Sequence, residues 1–283
     1  MLSGRGAEAQ SPELMLDHGR GRKHVALTRG VSPAIACCEL TFLEREPIDY
    51  ARAVAQHGAY VRLLEDLGLR VVQLEADAEL PDCCFVEDIA IVLDEVAVLT
   101  RPGAPSRRGE TAALAVALDA YRPIVRLEQP ARIDGGDVLV LQRRLFVGLS
   151  SRTDAAGRQA LAEAVRPFDY EVVPVRTEGC LHLKTAVTAA HADILLVNPQ
   201  WVDLAPFRGL ETIDVAPDEP WAANVLSVGT AVVAAAGFPR TADRLRARGL
   251  DVRTVDVSEF QKAEGGVTCK SLLFDLAAET APG

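Results

Sequence analysis

No apolar run in the chain approaches the ~20 residues needed to span a bilayer, and the first 23 residues lack the apolar core of a signal peptide. A cytoplasmic protein is therefore expected, with residues 1–23 a polar, disordered extension and residues 24–283 a single domain. Positive charge is also in short supply. The 30 Lys and Arg against 40 Asp and Glu leave a formal net charge of -10, which argues against nucleic acid or an anionic membrane as partner, since either calls for a basic face. A small cationic compound suits that sign better. The six cysteines, at 37, 38, 83, 84, 180 and 269, contain no C-x-x-C and no regular spacing, so neither a zinc knot nor a disulfide framework is suggested. No Ser/Gly linker or low-complexity stretch interrupts the chain.

What the sequence does contain is an alternation of short β-rich runs with helical segments from Val25 onward. The first helix is signalled by Asp49 as a cap, by Tyr50, Val54, His57, Val61 and Leu64 at helical spacing, and by Gly68 where a left-handed C-cap is wanted. A short strand at 70–74 follows. The same succession of helix, turn and β-branched strand recurs around 124–127, 171–175, 212–215 and 251–255. Between these lie paired strand candidates, 85–93 with 96–100, 138–142 with 145–147, and 224–227 with 231–235. Five units, each of about three strands and one helix, point to a closed repeat whose loops meet at a central site; an open α/β sheet is the alternative.

Several segments carry residues with chemical potential. Glu264-Gly-Gly-Val-Thr-Cys269 places a cysteine after two glycines, which let backbone approach a ligand, and before an apolar strand. A bound cation there lowers the thiol pKa and makes Cys269 a nucleophile. The alternative is a buried core cysteine. His182, in Gly179-Cys-Leu-His-Leu-Lys, reads as a strand-end residue suited to acid/base work or to one structural hydrogen bond. Glu87 and Asp88 are adjacent carboxylates in an otherwise apolar strand, and Asp134 and Asp137 flank two glycines at a turn; burying them is costly without a cation. That cation is either a metal or a guanidinium, whose planar fork of donors matches paired carboxylates. Cys269 favours the guanidinium, because a hard-metal site has no use for it. Arg107 and Arg152 lie in loops leading to helices, where arginines suit a substrate carboxylate.

In order along the chain stand P-D-x-x-F-V-E-D at 81–88, T-R-P-G-A-x-S-R-R-x-E at 100–110, D-G-G-D at 134–137, G-L-S-x-R-T at 148–153, L-H-L-K at 181–184 and G-G-V-T-C at 265–269. Together they resemble the dimethylarginine dimethylaminohydrolases of the guanidino-modifying superfamily, to which arginine deiminase also belongs. The resemblance implies a five-bladed, pseudo-symmetric α/β propeller of ββαβ units, in agreement with the repeat. It further implies that Cys269 attacks the guanidinium carbon, that His182 protonates the leaving amine and later activates water, and that Asp134 orients the pair. Glu87 and Asp88 would clamp the guanidinium beside Phe85. Arg107 and Arg152 would take the substrate carboxylate, Asp82 with Ala263 and Glu264 the α-amino group, and Leu40 would belong to a mobile lid. No cofactor and no metal are implied, the partner is a small guanidino compound, and a homodimer is left open. One departure stands out: Glu264 occupies a position where the family often has Asp.

The implied reaction is hydrolysis of an Nω-methylated L-arginine to citrulline and an alkylamine through a thiouronium on Cys269. A deiminase releasing ammonia from arginine, a carboxylate–metal hydrolase and a non-catalytic guanidine binder are the rivals.

Overall fold

The strands of this protein are short apolar runs such as HVALTR, RLFVGL and AVVAA, unbroken rather than alternating, which is the pattern of strands buried on both faces. A computed structural model describes residues 24–276; the extension expected at residues 1–23 lies outside them. In chain order come β1 (His24–Arg29), α1 (Tyr50–Asp66) and β2 (Arg70–Leu74), then β3 (Ala90–Val92), β4 (Ala97–Leu99), α2 (Thr111–Asp119) and β5 (Ile124–Arg126). They are followed by β6 (Val138–Leu141), β7 (Arg144–Leu149), α3 (Ala155–Val165) and β8 (Glu171–Arg176), and by a four-residue α4 (Leu183–Ala186), β9 (Val187–His191), β10 (Ile194–Val197) and β11 (Glu211–Asp214). The described chain ends with β12 (Leu226–Val228), β13 (Ala231–Ala235), α5 (Pro239–Ala247), β14 (Asp251–Val255), a short α6 (Ser258–Gln261) and β15 (Leu272–Asp275).

These strands form five sheets of three. In each, the first strand is antiparallel to the second, and the second is parallel to the third, as in β6–β7–β8 and β12–β13–β14. The sheet β15–β1–β2 obeys the same rule with its first strand taken from the far end of the chain. The molecule is a five-bladed, pseudo-symmetric α/β propeller closed by its own terminal strand.

The core explains the closure. Alternate residues of a central strand point to opposite faces, so Val25 and Leu27 join a cluster with Ala90, Leu99 and Leu114 of the next blade, while Ala26 joins one with Val233 and Ala235 of the blade on the other side. Val232 and Ala234 pack instead with Leu196, Leu145 and Val147 with Val98, and Phe146 with Leu195. Five apolar seams thus join five blades, and each depends on both neighbours.

Three expectations need correction. The fourth unit has no long helix: between β10 and β11 only the 3-10 turn Ala205–Phe207 forms, in a stretch where Pro199 and Pro206 remove helix donors. Helix α1 is capped by Asp49, whose side chain accepts from the Arg52 N–H, and ends at Gly68 with φ +87°. Its buried face, however, is Ala53, Gln56, His57, Tyr60 and Leu64, leaving Tyr50 and Val54 exposed. Finally, residues 85–89 are not strand: Val86–Asp88 forms a 3-10 turn ahead of β3.

Candidate active site

The segments that enter the first strand of each sheet converge. Glu87 and Asp88 precede β3, Asp134 precedes β6, His182 precedes β9, Asn224 precedes β12 and Cys269 precedes β15. The 3-10 turn at 86–88 has a functional consequence. A strand would send adjacent side chains to opposite faces, whereas here both Glu87 and Asp88 are buried within the site. His182 likewise is not a strand residue but stands at the position before α4, whose Leu183 N–H donates to Asp137 Oδ1 at 2.9 Å.

The His182 ring lies between two carboxylates, with Nε2 3.1 Å from Asp134 Oδ2 and Nδ1 3.7 Å from Asp88 Oδ1. Asp134, fully buried, also accepts the Gly103 N–H at 2.8 Å. Asp88 is held by Arg107 at 2.5 Å and by the Gly136 N–H at 3.1 Å. Gly136 has to be glycine: a Cβ there would stand 2.5 Å from His182 Nδ1 and 2.6 Å from Asp88 Oδ1. Burial by itself would lower the His182 pKa. The charge of Asp88, the hydrogen bond to Asp134 and the charges of Asp137 and Asp134 outweigh it and raise the imidazole to about 9. Burial would raise Asp88, yet His182 and Arg107 together hold it below the ordinary carboxylate range.

Cys269 is partly exposed and accepts the Gly266 N–H at 3.3 Å. Burial, then the charges of Glu87 and Asp88, push its thiol up to about 12, against the weaker pull of that N–H and of Lys184. Before any cation arrives, the site therefore holds an imidazolium and a neutral thiol. The ligand atoms of Asp88, Asp134 and His182 lie within 4.8 Å of one another, a spacing that fits a metal ion. An imidazolium offers no lone pair to a metal, and both ring nitrogens already face carboxylates, so the trio suits a proton donor and its orienting pair better.

Two connected cavities meet at Leu181, His182, Glu264, Gly265 and Cys269. The inner one, about 330 Å³ counting its open mouth, brings together Asp82, Phe85, Asp88, Arg107, Arg152 and Ala263. Within it Arg107 is deeply engaged, pairing with Glu110 at 2.9 Å and donating to the Phe85 carbonyl at 3.0 Å as well as to Asp88. Arg152 approaches Asp134 at 3.9 Å and donates to Thr41 Oγ1 at 3.0 Å. Phe85 stands edge-on to Phe260 with centroids 6.2 Å apart, and a Cβ on Gly265 would lie 2.4 Å from its ring. The outer cavity takes in Glu87.

The segment around Leu40 lies across the site. Leu40 itself packs on the core, while Glu39 lines the inner cavity and Phe42 and Leu43 line the outer one. The backbone N–H groups of Thr41, Phe42 and Leu43 all donate to the Glu264 carboxylate, at 3.0, 2.5 and 2.6 Å, and the Glu39 N–H donates to Asp82 Oδ2 at 3.1 Å. Glu264 adopts a left-handed φ of +57°. Its carboxylate thus fastens the segment across the site.

Sequence reasoning passed over three residues. Lys184 pairs with Glu87 at 2.5 Å, Thr268 Oγ1 donates to the other Glu87 oxygen at 2.6 Å, and Asn224 donates to Thr268 Oγ1 and to the Lys184 carbonyl. The signal was the repeat itself. Asn224 stands at the one blade entrance to which no role had been given.

The sequence model of the family described as "N,N dimethylarginine dimethylhydrolase, eukaryotic" matches residues 41–203. The chain is 39% identical over 248 residues to an N(G),N(G)-dimethylarginine dimethylaminohydrolase of Streptomyces coelicolor, covering 87% of this chain and 95% of that one. A protein of the same name from Pseudomonas aeruginosa is 35% identical over 228 residues, covering 80% and 90%. Among solved structures, a cysteine-to-serine variant of the Pseudomonas aeruginosa enzyme complexed with citrulline superposes with a TM-score of 0.85 at 32% identity, over 90% of this chain and 100% of that one. The N-terminal domain of a cyanobacterial arginine dihydrolase shares the fold at 20% identity, with a TM-score of 0.77 over 89% of this chain and 98% of its own.

Proposed function

Since this chain belongs to the dimethylarginine dimethylaminohydrolase family, we infer that it hydrolyses Nω-methylated L-arginines to citrulline and an alkylamine. The observation that supports the mechanism is the His182 ring set between Asp88 and Asp134, which keeps it an imidazolium, beside a Cys269 thiol that burial first, and then Glu87 and Asp88, keep protonated.

The guanidinium carbon is a poor electrophile because resonance spreads its charge, so it has to be held cationic and offered a strong nucleophile. A substrate guanidinium beside Glu87 and Asp88 offsets the carboxylate charge that adds to burial in raising the Cys269 thiol, and its own positive charge favours the thiolate. The thiol then gives up its proton to solvent water, and the resulting thiolate sulfur bonds to the guanidinium carbon. His182, already protonated, delivers its proton to the departing alkylamine as the C–N bond breaks. The neutral imidazole next takes a proton from water, which displaces sulfur and leaves the ureido group of citrulline. Asp134 keeps the ring oriented through both steps. Arg107 and Arg152, on the wall of the inner cavity, face the substrate carboxylate, and Asp82 with the backbone at Ala263 and Glu264 receives the α-amino group. Phe85 walls the methylene chain. Leu40 anchors the covering segment from beneath.

Mass-spectrometric product analysis tests the reading. Asymmetric dimethylarginine should yield citrulline and dimethylamine, arginine little or nothing, and Cys269→Ser neither. Citrulline and ammonia from arginine alone would make the enzyme a deiminase instead.

A further inference from the structure

The two cavities that meet at Cys269 differ in chemistry. The inner one is charged, with Asp82, Asp88, Arg107 and Arg152 on its wall. The outer one, about 950 Å³ counting its open mouth, is mainly apolar, walled by Phe42, Leu43, Trp221, Ala235 and Phe238, with Glu87, Lys184, Asn224, Gln261 and Glu264 as polar lining. Phe42, Leu43 and Trp221 are three of only eight large apolar side chains left exposed among the described residues, at 47%, 37% and 37%. Such clustering marks a binding surface rather than scatter. Trp221 packs against Trp201 with ring centroids 4.6 Å apart, so this wall is braced in advance.

An arginine whose α-amino and carboxylate groups occupy the charged cavity places its guanidinium at the junction, and its substituted nitrogen then points into the apolar cavity. Two methyl groups fill a small corner of that space. We propose that the apolar cavity is a subsite for the departing amine, and that the enzyme hydrolyses arginines whose Nω-substituent is an extended alkyl or aralkyl group such as benzyl. The inference rests on the function given above and extends its substrate class. The chemistry is unchanged: Cys269 sulfur bonds to the guanidinium carbon, the bond to the benzyl-bearing nitrogen breaks, His182 protonates the departing benzylamine, and water replaces sulfur to give citrulline. Phe42 and Leu43 on the covering segment would close over the substituent, removing their own apolar surface from water.

The test compares Nω-benzyl-L-arginine, asymmetric dimethylarginine and L-arginine in two assays. In turnover by the wild-type enzyme, kcat/KM for the benzyl compound should equal or exceed that for dimethylarginine. In calorimetric binding to Cys269→Ser, the benzyl compound should bind at least about tenfold more tightly than arginine. Adding Trp221→Ala, and separately Phe238→Ala, to that variant should each shrink the preference about fivefold or more. Hydrolysis of dimethylarginine without hydrolysis of the benzyl compound would overturn the proposal and leave the general function standing. A benzyl preference below twofold, or one that both substitutions leave intact, would overturn it whatever the turnover shows. Failure to hydrolyse dimethylarginine would sink the general function, with the binding assay still deciding on the subsite.

Discussion

Cys269 and His182 are matched in reverse. The thiol, pushed up to about 12, is protonated at neutral pH, and the imidazole, raised to about 9, is charged. The reactive form needs thiolate and imidazolium together, so kcat/KM should climb nearly tenfold per pH unit up to about pH 9, as the thiolate fraction grows. Above that it should level off, because His182 loses its proton as fast as Cys269 does. A flat profile between pH 6 and 8 would mean that the free enzyme already holds a thiolate. Glu87 is held by Lys184 and Thr268, and Glu87→Ala leaves a cation uncompensated where the substrate cation must bind. In the Cys269→Ser background, affinity for dimethylarginine should fall by about 2–5 kcal/mol, read by calorimetry. Next to the nucleophile, Lys270 is fully buried with its Nζ 4.1 Å from the Tyr60 ring centre and 4.6 Å from that of Phe260, without a hydrogen-bond partner among the described residues. Burial pushes its pKa from 10.5 down to about 7. Between those values the unfolded chain binds a proton that the folded chain does not, so stability should rise with pH across the window. Lys270→Met should abolish that rise and add about 1–3 kcal/mol at pH 7, measured by denaturant unfolding.

At the scale of elements, the 41–43 end of the covering segment is fastened by one side chain of the opposite loop, in addition to the bonds of Glu39 to Asp82 and of Thr41 to Arg152. Three successive N–H groups converge on the Glu264 carboxylate, and charge-assisted bonds of that kind are stronger than neutral ones. Glu264→Gln keeps the length and removes the charge. Amide exchange at Thr41, Phe42 and Leu43 should then speed up about tenfold while the rest of the chain is unchanged; equal protection would show that the packing of Leu40 suffices. The segment and its latch were only half legible in the sequence. Glu264 stood out as longer than the Asp often found there, but nothing in the order of residues brings position 264 to position 41. The short turns at 86–88 and at the start of α4 were misread as strand for a local reason: their flanks are apolar and β-branched, while the turns themselves are set by the burial of Asp88, Asp137 and His182.

The whole molecule is a ring, and its stability depends on closure. Arg122 reaches across that closure: Nε donates to the Leu93 carbonyl at 3.0 Å, the guanidinium lies 5.8 Å from the Phe274 ring centre, and Nη2 donates to the Asp275 carbonyl on β15. Arg122→Ala should lower the unfolding free energy by about 1–3 kcal/mol through the carbonyls it strands. Because each apolar seam is shared by two blades, unfolding should remain a single transition. Separate transitions by circular dichroism and tryptophan fluorescence would show that the blades unfold independently.

The sequence by itself determined the repeat, since the period of turns, paired strands and helix follows from which segments are apolar and β-branched. It also determined the chemical inventory, since a thiol after two glycines, a histidine at an element end and paired carboxylates have few joint uses. Tertiary structure decided the rest. Which oxygen faces which ring nitrogen, the reversed protonation of Cys269 and His182, the latch at Glu264 and the apolar cavity beside the nucleophile all arise between residues from different blades. Local propensity carries no information about such pairs. Only closing the ring brings their electrostatics and packing into being.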